Sequence, residues 1–233
     1  MGNAVGSKHM TIEERPETWR LEVVEAIHQC YLTGNHDFGV NQPALAELFK
    51  TVLPDIATNP ANTVIWPRFA EYDSGTEVNI LEVLAGLAVS CRGTLEGKVQ
   101  FVFKLFDFDD DGQLNYDEVV MLLFTVLTGA VLMLRRGTLP TDAGLEPLVD
   151  EAFLLSSKDV SAKISADEFF DFAKAALTKL CHETGVGSCN SAMALVTAFG
   201  LVKPSAAVEG YADELRPEDA DTAFLEPATE RAS

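Results

Sequence analysis

The sequence predicts an all-α protein of four helix–loop–helix units arranged as two paired lobes. Three observations point to this fold class. Residues 107–118 form an acidic twelve-residue loop with an apolar helical stripe on either side, and weaker copies of that unit recur in register at three other places. The chain has 233 residues, 47% apolar and 23% charged, which is enough to bury an ordinary soluble core. Thirty-six acidic against 17 basic residues leave a formal net charge of −19. A field of that sign repels phosphate backbones, argues against nucleic acid as a partner and favours cations.

The loop Asp107–Glu118 matches a calcium-binding pattern at every constrained position. Calcium is a hard cation that takes about six to eight oxygens. Asp107, Asp109 and Asp111, at positions 1, 3 and 5, place carboxylates on one side of such an ion. Gln113 at position 7 offers its backbone carbonyl, Asn115 at position 9 ligates directly or through water, and Glu118 at position 12 binds with both oxygens. Gly112 at position 6 takes a sharp turn that costs other residues energy, and Leu114 points away from the ion. Val102, Phe103 and Phe106 supply the stripe before the loop, and Val119, Leu122 and Leu123 supply the one after it. Magnesium would compete for the same oxygens.

With that loop as template, the other units follow in chain order. An arm over residues 1–16 precedes a first lobe over 17–92. Its first helix, starting at Glu17-Thr18, puts Leu21, Val24, Ile27 and Tyr31 on one face and leads into loop 33–44, where Thr33, Phe38 and Ala44 have replaced the ligands and the glycine. The second loop, 73–82, contains Asp73, Glu77 and Glu82 but is two residues short, and Glu82 stands 36 residues before Glu118. Phe69 and Tyr72 match Phe103 and Phe106 on its entering side. The second lobe spans 93–180 and adds to the intact loop a fourth one, 157–168. Ser157, Asp159, Ser161, Lys163 and Glu168 form a weaker ligand set there, and Ala162 replaces the glycine. This register sets Val40 beside Val78 and Leu114 beside Ile164 through short antiparallel contacts.

The remaining segments are connective. Val119 to Leu134 is uncharged for 16 residues, short of the roughly 20 a spanning helix needs, and reads as a buried helix. Residues 135–147 hold Gly137, Pro140, Gly144 and Pro147 and read as a linker, with Arg135-Arg136 capping the helix before it. A helix over 167–180 follows, then a further apolar helix within 181–202 that packs on its own chain, then an acidic mobile tail over 203–233. Cys30, Cys91, Cys181 and Cys189 form no CxxC pair and suit a reducing compartment, and Cys181-His182 lacks a second pair for zinc. No P-loop, GxSxG elbow or kinase signature supports an enzyme.

From Ser90 to Glu118 the run Arg92-Gly93-Thr94-Leu95-Glu96, Lys98 and Phe103-Lys104-Leu105-Phe106-Asp107 resembles the link into the third EF-hand of the neuronal calcium sensors, the family of frequenin, recoverin and the visinin-like proteins. The likeness extends weakly over residues 17–175, and calcineurin B-like proteins are a second match. The resemblance implies four EF-hands, a first hand that has lost calcium, and N-terminal myristate. The shortened second loop departs from it. Gly2 is available for acylation, although Gly6 stands where Ser or Thr is preferred. Gly6-Ser7-Lys8-His9-Met10 also resembles an expression-vector scar, which would make Met10 the natural start. No apolar leader opens the sequence, so the reading is cytoplasmic, with reversible membrane contact through an acylated Gly2. The expected function is a calcium sensor that exposes an apolar groove to an amphipathic helix of a target protein. The alternatives are a constitutive regulatory or structural subunit of the calcineurin B kind and a calcium buffer.

Overall fold

The apolar stripes lie on helices, and the loop inside each of four helix pairs is tied to a partner loop by a two-residue strand. The computed structural model describes residues 15–34, 37–56, 58–72, 75–184 and 192–201. Gly2 and its acylation, Asp73, Cys189 and the tail over 203–233 lie outside the described residues.

The first hand is α1 (Leu21–Thr33), β1 (Gly39–Val40) and α2 (Gln42–Val52), and the second is the short α3 (Trp66–Phe69), β2 (Val78–Asn79) and α4 (Ile80–Ser90). The third is α5 (Leu95–Lys104), β3 (Gln113–Leu114) and α6 (Tyr116–Leu134), and the fourth is α7 (Asp142–Leu155), β4 (Ile164–Ser165) and α8 (Ala166–Thr184). β1 pairs antiparallel with β2 through Val40 and Val78, and β3 with β4 through Leu114 and Ile164, the pairings that the register requires. All four side chains are buried. Burying each of them stabilises its lobe by about 1.5–3 kcal/mol.

The residue after each buried ladder side chain starts the next helix. Asn41, Asn79, Asn115 and Ser165 stand at the same loop position and accept from the backbone N–H of Ala44, Leu81, Glu118 and Glu168 at 3.1, 3.0, 3.1 and 3.3 Å. Each thus satisfies a donor that the first helical turn leaves orphaned. Two side chains of the sequence alignment part company: Phe69 is fully buried, whereas Tyr72 is 41% exposed where Phe106 is buried.

The two lobes meet along α4 and α6, the most extensive helix pair. Gly86 and Gly129 let the backbones touch: a Cβ on Gly86 would lie 2.6 Å from Gly129 O, and one on Gly129 would lie 2.8 Å from Gly86 N. Two arginines cross in opposite directions at the far end. Arg68 donates to Met133 O at 2.6 Å, and Arg135 donates to Pro67 O at 3.0 Å. Capping of the α6 terminus therefore falls to Arg68 of the other lobe rather than to Arg135-Arg136. Arg135 itself holds a left-handed conformation, φ 51°, that ends α6. At the other junction Leu21 N–H donates to Arg92 O at 3.1 Å and Arg92 N–H to Trp19 O at 2.7 Å.

Helix α6 is long and apolar enough to cross a membrane by length and composition, and 61% of its most apolar window is buried inside the fold. The segment read as a linker over 135–147 is shorter than expected, because α7 starts at Asp142 and runs through Pro147. Pro147 lacks a donor for the preceding turn, but it is exposed, so water satisfies the carbonyl it leaves. A further helix, α9 (Ala192–Ala198), packs on α6 and α8, and Leu195 and Phe199 share an apolar cavity with Val99, Leu123, Phe169 and Leu177. Cys30 and Cys91 are free, whereas Cys181 is disulfide-bonded, which a reading of the cysteines as suited to a reducing compartment does not anticipate.

Candidate metal centre

Loop 107–118 grows directly out of α5. Phe106 and Asp107 donate their N–H groups to Phe103 O at 3.0 and 3.2 Å, so the helical turn continues into the first acidic residue. Asp107 then folds the loop over itself: its Oδ1 accepts from Asp111 N–H at 3.1 Å and its Oδ2 from Gly112 N–H at 3.0 Å. Asp111 Oδ1 accepts from Gln113 N–H at 2.8 Å. Two residues take left-handed conformations to make this turn, Asp110 at φ 54° and Gly112 at φ 76°. Aspartate tolerates that region better than most side chains and glycine enters it freely.

The result is a convergence of carboxylates. One oxygen each from Asp107, Asp109 and Asp111 lies within 4.8 Å of the other two, the only such acidic trio among the described residues. Glu118 stands apart from that trio in this arrangement. Its Oε2 accepts from Asn115 N–H at 2.8 Å while Asn115 Oδ1 accepts from Glu118 N–H, a reciprocal box that starts α6. The side chain read as a position-9 ligand is thus a helix cap as well, and Gln113 lies in β3 opposite Ser165.

The fourth loop is built otherwise. Helix α7 stops before it: Lys158 N–H donates to Phe153 O and Ser157 N–H to Leu154 O, both at 3.0 Å, with Ser157 left-handed at φ 54°. Ala162, at the glycine position, stays out of the left-handed region, and its N–H donates to Asp159 O at 2.9 Å. Asp159 Oδ1 accepts from Ser161 N–H at 2.9 Å, which holds the Asp159 carboxyl below its usual range. Glu168 Oε2 accepts from Ser165 N–H at 2.7 Å and from Lys158 Nζ at 2.7 Å. Burial pushes the Glu168 carboxyl up, but Lys158 and Ser165 outweigh it and leave the group below its ordinary value.

The Lys163 side chain leaves its own loop. Its Nζ lies 2.5 Å from Asp111 Oδ2 and 3.0 Å from Asp109 Oδ2, an ammonium on two of the three converging carboxylates. Hydrogen bonding from Lys163 holds Asp109 below the usual carboxylate range, and Asp111 and Asp109 together raise the Lys163 ammonium. Sequence spacing assigns Lys163 to the ligand set of the fourth loop and gives Lys158 no role; in the structure the Lys163 ammonium lies on carboxylates of the third loop, while its backbone oxygen stays in the fourth, 2.8 Å from Lys158 Nζ. Lysines inside a ligand loop were the available signal, since an ammonium within reach of several carboxylates finds them.

The second loop has no such convergence among its described residues. Glu82 is buried at the start of α4, with Asn79 Nδ2 3.4 Å from its Oε1. Glu77 leans against the backbone of Gly39. In the first loop Phe38 occupies the glycine position, 56% exposed, with its ring 6.5 Å from that of Phe108 in the intact loop.

No protein-family model matches the chain. Curated relatives share about half of it. The calcineurin B subunit of Yarrowia lipolytica is 33% identical over 118 residues, covering 50% of this chain and 62% of that protein. That of Naegleria gruberi is 34% identical over 119 residues, 51% of this chain and 62% of that protein. The type 2 calcineurin B subunit of Homo sapiens is 34% identical over 118 residues, 50% and 64%. The chain thus spans less than two thirds of the length of these relatives. Their name is that of the second match suggested by the residues around the intact loop. With its four helix–loop–helix units in two ladder-paired lobes, the chain has an EF-hand fold and is similar to calcineurin B subunits.

Proposed function

We propose that the chain is a calcium-binding EF-hand regulatory subunit that stays docked on an amphipathic helix of a target protein. Calcium at the loop 107–118 would supply the divalent charge that a single Lys163 ammonium does not provide for three converging carboxylates. Asp107, Asp109 and Asp111 fit that role through their clustered oxygens, with the Gln113 carbonyl, Asn115 and Glu118 as the remaining donors. Magnesium would compete there, at a disadvantage where more than six oxygens are offered.

The observation that carries the constitutive reading is the backbone contact between Gly86 and Gly129. A sensor swings the helix that leaves its calcium loop. Here that helix, α6, is seated on α4 of the other lobe and stitched to α3 by Arg68 and Arg135. Such a frame favours a preformed platform over a hinge, and the similarity to calcineurin B subunits supports the same choice.

Calorimetric titration of calcium, with millimolar magnesium present, tests both halves of the reading. Glu118→Gln, which loses one ligand oxygen, is expected to weaken binding by at least about tenfold. Apolar dye fluorescence is expected to change little on calcium addition. A large rise in fluorescence would return the sensor reading to first place, and no calcium binding would remove the metal from the function.

A further inference from the structure

The fourth loop already contains a cation. Lys158 Nζ lies 2.7 Å from Glu168 Oε2 and 2.8 Å from the backbone oxygen of Lys163. Those oxygens belong to loop positions 12 and 7, two of the places from which an EF-hand loop grips its ion. Lys158 follows the left-handed Ser157, which turns the chain away from the end of α7 and into the loop.

Lys163 is held at both ends. Its carbonyl accepts from Lys158, and the β4 register that pairs Ile164 with Leu114 sets Lys163 alongside the third loop. Its stem carries the ammonium onto Asp109 and Asp111. These are the carboxylates that a metal in the third loop would need, and an ammonium hydrogen-bonded to both takes lone pairs that the metal requires.

We propose that Lys163 is a tethered counter-ion of loop 107–118 that an incoming divalent cation must displace, while Lys158 keeps the fourth loop closed without metal. The proposal rests on the reading of 107–118 as a calcium site. The fourth hand, with no ion of its own, then sets the affinity of the third. The competing ammonium never dissociates from the protein, so its effective concentration is fixed, unlike that of a free monovalent cation, whose competition varies with the salt present.

The test is calcium titration of the full chain and of Lys163→Met, Lys104→Met and Glu118→Gln. Lys163→Met is expected to tighten binding about three- to tenfold. Lys104→Met removes the same charge from the exposed end of α5 and is expected to tighten it by less than about twofold. Equal gains from the two substitutions, or no gain from Lys163→Met, would overturn the proposal while leaving the calcium site standing. If neither the parent chain nor Lys163→Met binds calcium, the site itself fails and the proposal with it. Side-chain NMR of Lys163 in the unsubstituted chain needs no variant to fold. Its Cε–Hε signals are expected to shift as calcium saturates the protein, and signals indifferent to calcium would refute displacement.

Discussion

Loops 107–118 and 157–168 lie side by side on one β-ladder, and each carries at its ninth position, Asn115 or Ser165, the residue that caps the helix after it. Beyond that frame they diverge. The third loop continues a helical turn into Asp107, places its left-handed conformations at Asp110 and Gly112, and gathers three carboxylates. The fourth begins after a left-handed stop at Ser157 and gathers its oxygens around Lys158. The difference teaches that ladder and cap build the hand, whereas the ligands are a separate layer laid over it. One hand can exchange an acidic trio for a lysine and keep its shape.

Substitution in the shared ladder is the strongest way to break this comparison. Ile164→Ala removes a fully buried side chain from between the two loops and is expected to cost about 2–4 kcal/mol in denaturant unfolding. It should also weaken calcium binding in the third loop, and unchanged affinity would mean that the loops are independent. Gly129→Ala comes next. Its methyl would run into the α4 backbone at Glu82 and Gly86, so a loss of about 1–3 kcal/mol is expected despite the better helix propensity of alanine. A neutral or stabilising result would show that α4 and α6 separate easily.

The smallest effect sharpens the comparison instead. Lys158→Met leaves Glu168 without its ammonium, and with both side chains about 30% exposed the expected cost near pH 7 is about 0.5 kcal/mol. Because Glu168 titrates below its ordinary value, its contribution is present above about pH 4.3 and is lost as pH falls through the lower native value. Thermal melts between about pH 6 and pH 3 should show a shallower acid limb in the variant. An unchanged limb would mean that Ser165 N–H alone holds Glu168.

Much of the frame could be read from residues alone. The apolar stripes and the alignment of the weaker loops on 107–118 placed Val40 against Val78 and Leu114 against Ile164, because the ladder is local chemistry repeated at a fixed spacing. The acidic trio was legible for the same reason. The lysines were not, since Lys163 acts through a residue more than fifty positions away and only the ladder brings the two together. Helix α7 was misjudged because glycine and proline punctuate most sequences, whereas here Pro147 sits on the wet side of a helix that water can repair. The arginine exchange between Arg68 and Arg135 joins parts of two lobes, and no local pattern announces it.

The contact at Gly129 also sets a mechanical ratio. Helix α6 rises about 1.5 Å per residue, so the fulcrum lies about 20 Å from the end that leaves the acidic loop and about 6 Å from Met133, which Arg68 holds. A tilt of this rod about that point delivers to the first lobe less than half of the travel made at the loop. The joint gears motion down, so a displacement at Tyr116 reaches Met133 as a nudge of opposite sense.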